Sequence, residues 1–247
     1  MFNRPHVAAA LVAALTLWPA APAFAVDGEI LITHAKALAG NVTPGDTAGY
    51  PVTVSIPGRF KLASNLFVAA NKIGIQVTGA NATIDLNGFT MQGSNAAWHG
   101  ITGGVDGVTI RNGTITRFQF DGINGAGQYW VVADMQVLEN GRYGIALTAQ
   151  EGLGRVLNST VSGNTYIGIT CVACLVQGNV VGNNGSIGIT TAGASILGNL
   201  IYDNGGVGAS LNGGGYGQNT VIYNDNNSTN QVNGGDPIDP NYCYQAC

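Results

Sequence analysis

Three titratable residues stand directly before a glycine at intervals of 22: His99, Asp121 and Tyr143 precede Gly100, Gly122 and Gly144. Arg142 adjoins the last of them, and Trp98, Arg117, Phe120 and Trp130 lie close by in sequence. If that interval is one turn of a stacked chain, the three side chains lie above one another about 4.8 Å apart and span roughly 10 Å of one face. Such a group suits β-elimination on a uronic-acid polymer. Arg117 or Arg142 would neutralise the sugar carboxylate, while Tyr143 or His99 takes the adjacent proton. Glycoside hydrolysis wants two opposed carboxylates about 5 to 9.5 Å apart, and Asp121 is the single acid in the group. His99, Asp121, Arg142 and Tyr143 are therefore the candidate catalytic residues, with Trp98, Arg117 and Trp130 as candidate substrate contacts. The plainer alternative makes them solvated corner residues, with His99 and Asp121 paired.

What must position these residues is a repeat. A glycine followed by an aliphatic residue recurs at Gly74-Ile75, Gly100-Ile101, Gly122-Ile123, Gly144-Ile145, Gly168-Ile169, Gly188-Ile189 and Gly208-Ala209, in steps of 20 to 26 residues. Two asparagine series keep step with it. One runs Asn87, Asn112, Asp134, Asn158, Asn179, Asn199, Asn219, and the other Asn140, Asn164, Asn184, Asn204, Asn224. Short apolar stretches and turn residues at that period match one coil of a β-solenoid. Side-chain amides stacked coil on coil would satisfy buried turn backbone, and the isoleucine column would fill the bore. The Asn-x-Thr triplets at Asn112 and Asn158 are read as members of the same ladder.

Composition agrees. Only 9% of residues are charged and 38 of 247 are glycine, against about 25% and 7% in ordinary domains. Residues 1–25 read as a secretory signal: Arg4, an apolar run from Val7 to Trp18, and the small-residue site Ala23-Phe24-Ala25. Removing it leaves 8 basic against 13 acidic residues, scattered rather than clustered. Nucleic acid is a poor partner for such a surface, and no later segment has the roughly 20 apolar residues of a membrane span. The expected location is secreted or periplasmic, where Cys171, Cys174, Cys243 and Cys247 can oxidise.

Three pairings are formally open. Cys171 with Cys174 and Cys243 with Cys247 is favoured, because Cys171-Val172-Ala173-Cys174 aligns with the corner Thr191-Ala192-Gly193-Ala194, and the ends of a four-residue turn lie within about 7 Å. No metal or cofactor site is expected, since a CxxC with a CxxxC is a poor zinc pattern and Asp236 with Asp239 are too few for calcium.

The expected organisation is a signal over 1–25, an N-terminal cap with its first strands over 26–72, an all-β right-handed parallel β-helix of about seven coils over 73–225, and a C-terminal cap or tail over 226–247. Residues 30 to 38 read as a short amphipathic helix, followed by strands over 52–56 and 60–62. The stretch Asn81-Ala82-Thr83-Ile84-Asp85-Leu86-Asn87-Gly88-Phe89, followed by Val108-Thr109-Ile110-Arg111-Asn112-Gly113-Thr114-Ile115, resembles successive coils of the right-handed parallel β-helix proteins of the pectin lyase-like superfamily, in particular their secreted bacterial repeat members. The resemblance covers about residues 50 to 225 and implies the fold. It leaves activity open, because this architecture hosts lyases, hydrolases, epimerases and binding proteins. The chain has no adjacent aspartates of a polygalacturonase, no Trp-Ile-Asp-His of a pectate lyase, and Asp236-Pro237-Ile238-Asp239 where an epimerase-like site has Asp-Pro-His-Asp.

The leading expectation is thus a secreted carbohydrate-interacting β-helix protein with a polysaccharide or cell-surface glycan as partner, β-elimination being the chemistry its cluster could perform. The alternative is a non-catalytic surface, adhesion or glycan-binding module. Ice binding is a third class, prompted by the small polar file Thr102, Asn124, Ala146, Thr170, Thr190, Ser210.

Overall fold

Each glycine–aliphatic pair opens a short strand, and successive strands of that kind pair in parallel with isoleucine over isoleucine. In the computed structural model, which describes residues 28–225, 230–243 and 247, Ile75 pairs with Ile101, then Ile123, Ile145, Ile169, Ile189 and Ala209 in unbroken register. All seven are buried. Two further faces run beside this one. The second passes through Phe60, Ile84, Ile110, Val132, Val156, Val176 and Ile196. The third passes through Leu66, Met91, Ile115, Val137, Val161, Val181, Ile201 and Val221. The three aliphatic files meet in the bore, and each side chain placed there stabilises the stack by about 1.5–3 kcal/mol. The result is an all-β parallel solenoid.

It has about nine turns, not the seven expected, because winding continues past residues 73 and 225. Ile30–Ile32 lies on Gly58–Leu62 and Val52–Val54 on Ile75–Val77, while Val232–Asn233, Asp236–Pro237 and Tyr242–Cys243 add strands to all three faces at the other end. The segment expected as a helix over 30 to 38 splits: Ile30–Ile32 is a strand, and the helix is His34–Ala39, started by Thr33, whose hydroxyl accepts from Lys36 N. The signal expected over 1–25 lies outside the described residues. Among the described residues no helix is long and apolar enough to cross a membrane.

One asparagine series stands as expected. Asn140, Asn164, Asn184, Asn204 and Asn224 pass one amide hydrogen bond per turn, each Nδ2 to the next Oδ1 at 2.8–3.0 Å, and Gln231 Oε1 receives the last. The other series divides. Asn179, Asn199, Asn219 and then Asn241 form a buried file, which Ser159 N–H joins at its start. Asn87, Asn112, Asp134 and Asn158 sit one position earlier, in left-handed backbone with φ of 51°, 60°, 54° and 47°. Later coils place Gly178, Gly198 and Gln218 there. Asparagine and aspartate tolerate that conformation better than other side chains, so two neighbouring columns with different physical demands had merged into one. The asparagines of the triplets, Asn112 and Asn158, are accordingly exposed in left-handed backbone and are not rungs of the buried ladder. Disulfides join Cys171 to Cys174 and Cys243 to Cys247, with Cα atoms 6.1 and 5.3 Å apart.

Candidate functional site

The corner between the third face and the glycine–aliphatic face is short, so the ladder asparagine and the strand glycine fix both its ends. Asn140-Gly141-Arg142-Tyr143-Gly144 is one such corner. Its backbone stacks on its neighbours: Phe120 N donates to Trp98 O at 2.8 Å, Arg142 N to Phe120 O at 3.0 Å, and Tyr166 N to Arg142 O at 2.9 Å. His99, Asp121 and Tyr143 form the next column inward, as Gly100 N–H to Asp121 O and Gly122 N–H to Tyr143 O show.

Asp121 organises the group. Its side chain is 0% exposed, and its carboxylate accepts from Arg142 Nε and Nη2, both at 2.7 Å, from Asn124 Nδ2 at 2.7 Å and from Tyr143 N at 3.2 Å. His99 Nδ1 lies 3.5 Å from Oδ2 and 3.4 Å from the Asp121 backbone N. Burial opposes the carboxylate's charge, yet the hydrogen bonds from His99, Arg142 and Asn124 and the guanidinium charge outweigh it, so the Asp121 pKa falls below its usual range. The same hydrogen bond to Asp121 raises the Arg142 pKa, against the opposing effect of burial.

A carboxylate with both oxygens filled by fixed donors is a positioning group rather than a base. It holds Arg142 in a bidentate fork, leaves the guanidinium side chain 45% exposed, and sets it 4.6 Å from the centre of the Tyr143 ring. The charge of Arg142 is largely balanced in place. Arg117 is likewise engaged, with Glu139 at 3.2 Å.

Trp98 is 44% exposed on the outer column. Trp130 requires correction as a substrate contact: it is 0% exposed, its indole N–H donates to Val105 O at 2.7 Å, and a Cβ at Gly125 would come 2.5 Å from its ring. It fills the bore of an irregular coil and touches no solvent. Tyr166 was missed, and Phe120 was noted as a neighbour without a role. Reading two positions before each strand glycine, instead of one, gives Lys72, Trp98, Phe120, Arg142, Tyr166, Ser186 and Gly206, so three aromatics and an arginine occupy four consecutive turns. Tyr166 is 56% exposed and packs edge-on to Tyr143 at 6.3 Å, while Phe120 lies 5.3 Å from the His99 ring. Beside this column, Gln76, Thr102, Gly103 and Asn124 line a shallow groove of about 450 Å³ on the glycine–aliphatic face. Asn124 thus touches both the groove and Asp121. Among the described residues no group of three or more His, Cys, Asp or Glu is placed to hold a metal.

No family model matches the chain, and no curated protein matches it in sequence. Solved structures do. The chain is similar to pectate lyase Pel9A, with a TM-score of 0.53 and 14% identity over 78% of this chain and 62% of that one. It is similar also to the A-module of the mannuronan C-5 epimerase AlgE4 of Azotobacter vinelandii, with a TM-score of 0.48 and 13% identity over 83% of this chain and 70% of that one. A third is the periplasmic alginate epimerase AlgG, with a TM-score of 0.33 and 13% identity over 78% of this chain and 69% of that one. At such identities the likeness is one of fold: the parallel β-helix expected from the repeat. The chain spans about three fifths of the length of the pectate lyase it matches.

Proposed function

We propose that the protein is an extracellular or periplasmic carbohydrate-binding β-helix, and that its glycan lies along the corner column Trp98, Phe120, Arg142 and Tyr166. The observation that carries this reading is the backbone stacking that puts three aromatic residues and one fixed guanidinium in a single column on four consecutive turns. A file of that length runs about 14 Å along the axis, which suits a short stretch of extended polymer. Aromatic faces accept the apolar C–H face of a sugar ring, and a pinned arginine donates to its oxygens without first losing rotamer freedom. The two disulfides fit an oxidising compartment. Pectate lyase Pel9A, named for pectate, supports the substrate class by analogy of fold alone.

Affinity electrophoresis against a panel of neutral and acidic polysaccharides tests the reading. Retardation by at least one polymer is expected, and replacing Trp98 and Tyr166 together by alanine should weaken it roughly tenfold, at about 0.5–1.5 kcal/mol per aromatic contact. An empty panel would remove the proposal.

The contact between Arg142 and Tyr143 favours one second reading, elimination with Tyr143 as base. The saturation of Asp121 and the engagement of both arginines weigh against it. Ultraviolet-absorbing unsaturated product, formed from a polyuronate and lost in Tyr143→Phe while binding persists, would install this reading in place of simple binding.

A further inference from the structure

The turn that follows the glycine–aliphatic strand carries a second grouping, on the other side of that strand from Trp98 and Arg142. Its backbone is left-handed on six successive coils, at Gly107 (φ 72°), Tyr129 (59°), Leu153 (41°), Ala173 (47°), Gly193 (63°) and Gly213 (75°). The strand registers place these residues above one another. Glycine occupies three of the six, as the sterics of that region favour. Tyr129 and Leu153 keep large side chains there and leave them 52% and 61% exposed, so core packing does not account for them. Backbone strain held without a buried gain points to use of the side chain.

Tyr129 and Leu153 line a groove of about 560 Å³ together with Arg155, Ala173, Leu175 and Ser195. Along the axis the column falls from two tall side chains to Ala173 and Gly193, so a step gives way to a flat shelf of nearly bare backbone. Arg155 supplies charge. Arg111, Arg117 and Arg142 on neighbouring turns each hold a carboxylate, at 3.0, 3.2 and 2.7 Å, whereas Arg155 has no ion-pair partner among the described residues.

We infer that this groove binds a small planar aromatic carboxylate, its ring on the shelf against Leu153 and Tyr129 and its carboxylate on Arg155. A rigid ring covers the shelf without freezing rotors, whereas an acyl chain of equal area loses conformational freedom on the same open surface. The groove's one guanidinium, Arg155, matches a single anionic head. The site is separate from the glycan column and does not depend on it.

Titrating the full chain with cinnamate, cinnamate methyl ester and octanoate, followed by NMR shifts, tests the inference. Cinnamate should bind saturably and more tightly than octanoate, and the ester and Arg155→Gln should each weaken binding roughly tenfold. Leu153→Gly is the second arm. Glycine suits the left-handed position, so the thermal midpoint should hold or rise while cinnamate binding is lost. Absence of saturable cinnamate binding, tighter binding of octanoate, or indifference of cinnamate to Arg155→Gln would overturn the inference. So would a Leu153→Gly variant that melts earlier and binds cinnamate unchanged, because the side chain would then serve stability.

Discussion

At the scale of single residues, the site rests on one buried carboxylate. Asp121→Asn should cost about 2–3 kcal/mol of unfolding free energy, since two fixed donors then face an amide and Arg142 loses its counter-charge. The figure sits low in that class because Arg142 keeps contact with water. The folded pKa of Asp121 lies below its unfolded value, so its contribution is complete above the unfolded carboxylate range near pH 4 and fades as pH falls through the lower, folded value. Urea midpoints measured downward from neutral pH should drop more steeply for the wild type than for Asp121→Asn in that acid window. Thr191 offers the opposite sign. Its buried hydroxyl has no hydrogen-bond partner, and Thr191→Val should raise stability by about 1 kcal/mol in the same assay. His99, Asp121, Arg142 and Tyr143 could be read together from spacing, because a repeat converts sequence offset into stacking. Trp130 could not be placed, since an irregular corner gives no rule for inside and outside. Tyr166 escaped because its neighbour Ile167 occupies the inspected column.

At the scale of elements, the asparagine files join the coils, and Asn199 is their clearest test. It gives hydrogen bonds to Val176 O and Asn219 Oδ1 and receives two from Asn179. Asn199→Ala strands buried donors and acceptors on both neighbouring coils and should cost roughly 3–5 kcal/mol, read as a lower thermal midpoint. Asn199→Ser should cost less, because Ser159 already serves in that file, with its hydroxyl accepting from Met135 N and donating to Leu157 O. The files were legible wherever coils are 20 residues long. The file through Asn199 blurred where coils run to 22–26 residues, because a one-position slip exchanges a ladder residue for a left-handed turn residue, and asparagine suits both, whereas the other file kept its register across the 24-residue step from Asn140 to Asn164.

At the scale of the whole molecule, strand pairs join residues about one turn apart, so contacts are local in sequence for an all-β protein and stability is close to a sum over neighbouring coils. The period showed this at once. The number of turns was less visible, because the first and last turns pair as strands without carrying the glycine–aliphatic signature. The far end also finishes both amide files, through Gln231 and Asn241. Truncation after residue 225 should therefore lower the thermal midpoint and raise light scattering as bare strand edges associate. A truncated chain that stays monomeric with an unchanged midpoint would show that the last turn is ornament.

The coils 179–198 and 199–218 pair on all three faces at a constant offset of 20 residues, which has a consequence for engineering. A tandem copy of the segment 179–198 would slot in with every hydrogen-bonded file intact, so the rod can grow by duplication at its regular end. Length can thus change at the regular end while the aromatic corner, several turns away, keeps its geometry.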